Sequence, residues 1–391
     1  MRDKRYTLPI IYIFLAGIFS TQSSIEQTVG YLLGMAGYAV LALFFYYNKD
    51  LKLIGKKSIL AATLALSAIF TIPLLQSAGI PTIIRVILFP VIILVNVFVI
   101  PATVSQKTFY GALTRITAIS TLVGFPALIV GSIGPIQAYP VIQNPPGFPV
   151  ALPGLISIFG NPNTMGAIAV YGSLAALWEY FSTDSRLALA LFFVNASGVY
   201  FSQGRAAALA LLAGLSMIAV YHFTNRRVLA VVTVAGLVAA PILTLVKFGI
   251  IPGPAFVRNV DFNNRIQLWT AAFQAMLERP FFGWGVGNVP EAMTPYITRS
   301  YLSGAGPHTS YIRMFAASGV IGGFLYLYIY LKSMSVHLLS VGDNADAAEH
   351  GMVIGAIVLH TFSGISLFGI ALVSVVPAII LGYAQYSDSS R

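Results

Sequence analysis

Apolar residues run along this chain in long blocks broken by short polar turns. A block of about 20 mainly apolar residues is what one helical crossing of a bilayer needs. Twelve blocks stand out, at about 8–22, 29–47, 58–76, 82–101, 116–133, 163–181, 187–202, 206–223, 228–248, 310–331, 351–367 and 370–386. They predict an all-α, polytopic membrane protein of about 12 transmembrane helices, with residues 1–391 forming a single integral membrane domain. Arg2, Lys4 and Arg5 precede the first block, as in a secretory leader. No small-x-small cleavage site follows, so the block is expected to stay as an anchor.

Charge changes this picture only by orienting it. Lys and Arg number 22 against 12 Asp and Glu, and charged residues make up 9% of the chain. A soluble domain carries about a quarter, so a water-soluble enzyme, a disordered chain and a nucleic-acid binder are excluded. Cysteine is absent, which removes thiol chemistry and a disulfide scaffold. With the N-terminus placed in the cytoplasm, 14 of the 22 cations fall on inner segments, as the positive-inside rule asks. Both termini are then cytoplasmic.

The remaining cations are Arg85, Arg205, Lys247, Arg258, Arg265, Arg279, Arg299 and Arg313, all on or near the outer side. Five lie between residues 258 and 313, around one long outer loop of about 249–309. Long loops cross irrespective of charge, so these cations need another reason. Within the loop, Ile266, Trp269, Phe273, Met276 and Leu277 recur with helical spacing. They predict an amphipathic helix begun by Asn263 or Asn264, stopped by Pro280 and lying on the bilayer or on the bundle. Gly283, Gly285 and Gly287 follow at alternate positions and allow tight turns; no Lys-Ser/Thr makes them a nucleotide loop. A second outer segment, about 134–162, is rich in Pro and Gly and is expected to dip into the membrane face or cover a cavity.

His308 falls just before the tenth block, where a helix N-terminus disfavours imidazolium and leaves a base able to accept a proton. Taken alone it reads more readily as a structural histidine, and Arg205 and Arg265 read as readily as a snorkelling and a surface cation. His360 lies mid-block and reads as a hydrogen-bonded core histidine, and Arg85 as a snorkelling or lipid-phosphate contact. No Asp-x-Asp or clustered His/carboxylate set is present, so no metal site and no cofactor are expected. Arginines bind phosphate bidentately. An outer face with several arginines, one histidine and few acids suits an anionic, lipid-borne substrate.

Four stretches carry a family resemblance: Phe159-Gly160-Asn161-Pro162-Asn163-Thr164 before a block, Phe201-Ser202-Gln203-Gly204-Arg205 in an outer turn, Arg265-Ile266-Gln267-Leu268-Trp269 running on to Pro280 and Gly283–Gly287, and His308 to Gly322. Their order and membrane side resemble the O-antigen ligase and polymerase superfamily of bacterial membrane glycosyltransferases, over roughly residues 155–330. Thr309 stands where many members have Asn, and Gly204 where many have Ser.

The resemblance implies metal-independent, inverting transfer of a glycan from a polyprenyl (undecaprenyl) diphosphate to an acceptor hydroxyl at the periplasmic side of the inner membrane. It implies His308, Arg205 and Arg265 as catalytic residues, and Arg205, Arg265, Arg258, Asn161 and Asn163 as contacts to diphosphate or glycan. The partners it implies are the lipid-linked donor, the lipid A–core acceptor and membrane lipids. A ligase is the first expectation. An Arg-x10-Gly pattern of some polymerases is absent, since Ser216, Trp269 and Met276 follow Arg205, Arg258 and Arg265 at that spacing. A protein O-oligosaccharyltransferase would be expected to run on past the last block. A transporter or flippase would be expected to show repeated halves and midplane polar sites, and no repeat is visible.

Overall fold

Helix occupies each of the twelve predicted blocks in the computed structural model of the chain, which describes residues 6–19, 27–48, 55–74, 88–139, 153–260 and 264–386. The helices are α1 (Thr7–Phe19), α2 (Gln27–Asn48), α3 (Lys57–Leu74), α4 (Leu88–Thr103), α5 (Gln106–Val130), α6 (Pro162–Thr183), α7 (Arg186–Phe201), α8 (Arg205–Phe223), α9 (Arg226–Lys247), α10 (Arg265–Glu278), α11 (Ser310–Ser340), α12 (Asn344–Phe362) and α13 (Leu372–Tyr386). Four of them, α5, α8, α9 and α11, are long and apolar enough by length and composition to cross a membrane; six shorter apolar helices accompany them. The chain is an all-α membrane protein.

Boundaries move outward where a polar cap starts a helix early. Ser105 accepts from Thr108 N–H and opens α5 at residue 106, and Asp343 accepts from Asp346 N–H and opens α12 at residue 344. The apolar blocks at 116 and 351 marked only the greasy part of each helix. The predicted near-continuity of the last two blocks is corrected: α12 stops at Phe362, and residues 363–371 are irregular before α13. Part of the Pro/Gly segment forms a two-stranded antiparallel ribbon, β1 (Gln137–Tyr139) against β2 (Gly154–Ser157); residues 140–152 lie outside the described ones.

At the centre stands α6, in which every residue from Thr164 to Glu179 is buried. It packs against α5, α7, α8 and α12. A bidentate pair, Arg115 on α5 to Glu179 on α6 at 3.0 and 2.8 Å, ties the end of α6 away from residue 162. By contrast α9 buries only Leu229, Thr233 and Val246.

The helix at 265–278 forms, but its predicted stripe straddles two faces. Leu268, Trp269, Ala271, Ala272, Ala275 and Met276 are buried, whereas Phe273 and Leu277 are more than half exposed. The alanines were invisible to a search for large apolar residues, yet they permit close approach to the bundle. Asn264 is the N-cap residue without a capping side-chain bond; its oxygen instead accepts from Arg299 at 2.5 Å and Tyr301 at 3.0 Å.

The turn after α10 docks into a break in α11. At Gly319 the backbone leaves the helical region, with φ +67°. In a regular helix the Ala316 carbonyl would accept from Val320 N–H. Here Val320 N–H donates to the Pro280 carbonyl at 2.7 Å, while Trp284 and Gly285 N–H donate to the Ala316 and Ala317 carbonyls at 3.0 and 2.8 Å. The alternate glycines have their reason here. A Cβ on Gly283, at φ +65°, would collide with the backbone of Ala317 and Ser318, and one on Gly319 with the backbone of Phe281 and Phe282. Trp284 Nε1–H donates to the Ala275 carbonyl at 2.6 Å, closing the same turn onto the end of α10. Gly283→Ala combines left-handed strain with a backbone clash and should cost about 2 kcal/mol or more. Thermal unfolding of the detergent-solubilised variant should show a clearly lowered midpoint, with Gly306→Ala, where a Cβ meets open space, unchanged.

Candidate active site

A cavity of about 700 Å³ opens at one end of the bundle. Its walls come from the first turns of α4, α6, α8 and α11, from Arg265 at the start of α10, and from the irregular segment 363–371. Asn161, Asn163, Arg265, His308 and Arg313 supply polar lining, with Ser363, Ser366 and Ser374; Phe89, Leu359, Phe362, Phe368 and Val373 supply apolar lining. Among the described residues no Asp or Glu lines it.

Helix geometry makes this cavity electropositive twice over. The N-terminal ends of α6, α8, α10 and α11 face it or its rim, and each presents unsatisfied N–H groups and the positive end of a dipole. Arg205 and Arg265 are the first residues of α8 and α10, and Arg313 lies in the first turn of α11. A cation in a first turn works against the dipole, so none of these arginines stabilises its own helix. Arg265 is half-buried, with its guanidinium 5.7 Å from the Phe362 ring centroid. Burial, and after it the charge of Arg205, lower the pKa of Arg265. Two like charges close enough to act on each other suit an anionic ligand.

His308 opens onto the same cavity with φ +50°, in the left-handed region that non-glycine residues rarely adopt. Partial enclosure first, then the charges of Arg265 and Arg313, hold its pKa below the ordinary histidine value. The imidazole is therefore neutral near pH 7 and able to accept a proton. Asn161 caps α6, its side-chain oxygen accepting from Thr164 N–H at 2.9 Å. Asn163 lines the cavity near Gly204.

Residues 187–327 match a family model described as O-antigen ligase (Wzy_C). This stretch, less than half of the chain, is similar to that family. It holds Arg205, Arg265, His308 and Arg313. No curated protein matches the chain. A chain from a solved structure, described as "Structural coordination of polymerization and crosslinking by a peptidoglycan synthase complex", is similar at 14% identity with a TM-score of 0.39, over 86% of this chain and 99% of that one. A likeness of that degree carries no argument.

Of the predicted residues, the fold brings Asn161, Asn163, Arg265 and His308 into one cavity. Arg205 is exposed beside it, close enough to act on Arg265. Arg258 is not among the lining residues; it is exposed at the end of the short helix Ala255–Arg258, and its carbonyl accepts from Lys247. Arg85 lies outside the described residues. Among the described residues no group of three or more His, Cys, Asp or Glu side chains could hold a metal.

Sequence reasoning missed Arg313 and the cavity floor. Arg313 donates to the Gly364 carbonyl at 2.6 Å and the Val286 carbonyl at 3.4 Å. Ser310 donates to the Ser363 carbonyl at 2.9 Å and also to that of Ile365. Leu367 N–H donates to Tyr326 Oη, and the Tyr330 hydroxyl lies 2.5 Å from His360 Nδ1. His360 is thus a buried, hydrogen-bonded histidine beneath the floor. A signal for Arg313 was present in the chain: a cation in the first turn of a helix has no local reason to be there.

Because Arg313 lowers the affinity of His308 for protons, Arg313→Gln should raise the His308 titration midpoint, and Arg313→Lys should leave it lower than the Gln variant. Histidine-labelled NMR titration of the purified protein reads this directly, with the His308 signal assigned by its loss in His308→Gln.

Proposed function

We propose that this chain is an O-antigen ligase-type glycosyltransferase. It moves a glycan from polyprenyl (undecaprenyl) diphosphate to a hydroxyl of the lipid A–core during lipopolysaccharide assembly. The observation that carries the reading is the cavity, lined by no Asp or Glu among the described residues, at which three arginine-bearing helix N-termini meet a neutral histidine. The proposal places the protein in the bacterial inner membrane as a single twelve-span domain. Both termini are cytoplasmic, and the cavity and the 249–309 segment face the periplasm.

In this reading the acceptor hydroxyl gives its proton to His308 as its oxygen attacks the anomeric carbon. The bond from that carbon to the diphosphate oxygen breaks on the opposite face, and the configuration inverts. The electron pair leaves with the polyprenyl diphosphate, whose added negative charge is met by Arg265 and Arg205. Charge stabilisation of this kind contributes several kcal/mol, and a positioned base about 10²–10⁴-fold. The leaving group departs as a stabilised anion, so the step asks for no metal. Asn161 and Asn163 face the glycan or diphosphate. Arg258 enters this reading only as an outlying contact to an extended glycan, because it lies off the cavity.

A polymerase would use the same donor chemistry and differ only in its acceptor. Incubating purified protein with lipid-linked glycan, with and without lipid A–core, separates the readings. A new glycolipid indicates a ligase, elongated donor a polymerase, and neither product returns attention to a transporter or flippase. His308→Ala should lower transfer by about 10²–10⁴-fold while the protein stays folded. Arg265→Lys should lower it on the order of tenfold or more, because the planar fork is lost. Full turnover in either variant removes that residue's role, and a chelator-sensitive reaction restored by Mg²⁺ contradicts metal independence.

A further inference from the structure

Among the described residues the apolar strip on the outer side of α10 and the side chains of Phe281 and Phe282 are left exposed, and their chemistry is that of a lipid contact. At 100° per residue, α10 divides into three strips. One is buried on the bundle. A second carries the half-buried Ile266 and the exposed Phe273 and Leu277. The third is polar, with Gln267, Gln274 and Glu278; Gln267 bonds Thr298, and Glu278 accepts from Tyr296. A helix with a core-facing, an apolar and a polar strip belongs at the boundary between hydrocarbon and water.

The next turn continues the apolar strip. Phe281 is 65% and Phe282 45% exposed. Their backbone lies against Gly319, six to ten residues into α11 for the whole docked stretch 316–320. At 1.5 Å per residue this is roughly 9–15 Å from the start of α11. Beside the turn, Val320, Ile321 and Phe324 of α11 are themselves exposed, and α11 is long and apolar enough to cross a membrane. On the other flank Phe248, at the end of the sparsely buried α9, meets Trp269 of α10 at 6.2 Å between ring centroids. The patch thus lies beside the exposed side of one candidate span, α11, while the end of α9 packs on α10. Non-helical backbone is tolerated at membrane depth only where its polar groups are satisfied by protein. Three of the turn's backbone groups are satisfied by α11.

We propose that residues 280–285 form a re-entrant turn, with Phe281 and Phe282 in the acyl chains of the bilayer and the apolar strip of α10 lying in the interface beside them. The segment that carries Arg265 is then anchored in the membrane rather than suspended above it. This inference stands independently of the transferase reading, because its test reads depth and not activity.

The chain contains no cysteine, so single cysteines can be placed without removing any. Phe281→Cys, Phe282→Cys and Phe273→Cys would carry a nitroxide in nanodiscs of phosphatidylcholine and phosphatidylglycerol. Tyr301→Cys, 68% exposed on the polar side, serves as the aqueous reference, and Phe324→Cys as the membrane reference. Collisional relaxation is read with oxygen, which partitions into lipid, and with a water-soluble nickel chelate. Labels at 281 and 282 should match 324, with oxygen relaxing them several-fold more than nickel, and the label at 273 should fall between the references. Nickel accessibility at 281 and 282 equal to that at 301 would overturn the proposal. So would shielding from both reagents, which would mean that protein, for instance a second copy of the chain, covers the patch. The exposed Phe273 site preserves the test if a turn variant fails to fold.

Discussion

The exchange of backbone hydrogen bonds between the turn at 280–285 and the break in α11 fixes the helix that begins with Arg265 against the helix that follows His308 and carries Arg313. Pro280 stands two residues past the end of α10, whose first residue is Arg265, and α11 begins two residues after His308. Three bonds to residues 316–320 join the end of one helix to the body of the other. Two glycines with positive φ let the strands of backbone touch. Neither helix can slide without breaking buried polar contacts, which are costly to leave unmade. The separation of Arg265 from His308 is therefore set some distance from both.

A second consequence is electrostatic economy. The fold assembles positive potential from peptide dipoles as well as from guanidinium groups, and it excludes acids from the lining. Arg313 serves both structure and field: it fastens the floor through Gly364 and Val286, and its charge adds to enclosure and to Arg265 in lowering the pKa of His308. Beneath the floor, Ser310, Tyr326, Tyr330 and His360 use ordinary hydrogen bonds to hold an irregular segment still.

Much of this was legible along the chain because the signals are local. Apolar blocks marked the helices, Asn161 and His308 stood at block edges, and Arg265 stood in the first turn of the amphipathic loop helix. What stayed hidden depends on contacts between distant residues. The alanine face of α10 carries no large side chain, so the predicted stripe mixed buried Trp269 with exposed Phe273. Segment 363–371 is apolar enough to read as helix, and only its carbonyls, drawn to Ser310 and Arg313, show why it is not one. Arg258 looked equivalent to its neighbours in the same loop, yet proximity in sequence did not bring it to the cavity.

Chain order gives the broken helix a further meaning during biosynthesis. Residues 280–285 leave the ribosome before residues 316–320. When α11 partitions into lipid, the partners for its Ala316 and Ala317 carbonyls and its Val320 N–H already exist upstream. Insertion and docking can thus proceed together, and the segment need not wait in hydrocarbon with bare peptide groups. A circularly permuted chain that delivered α11 first would lose that advantage while keeping every contact of the finished fold.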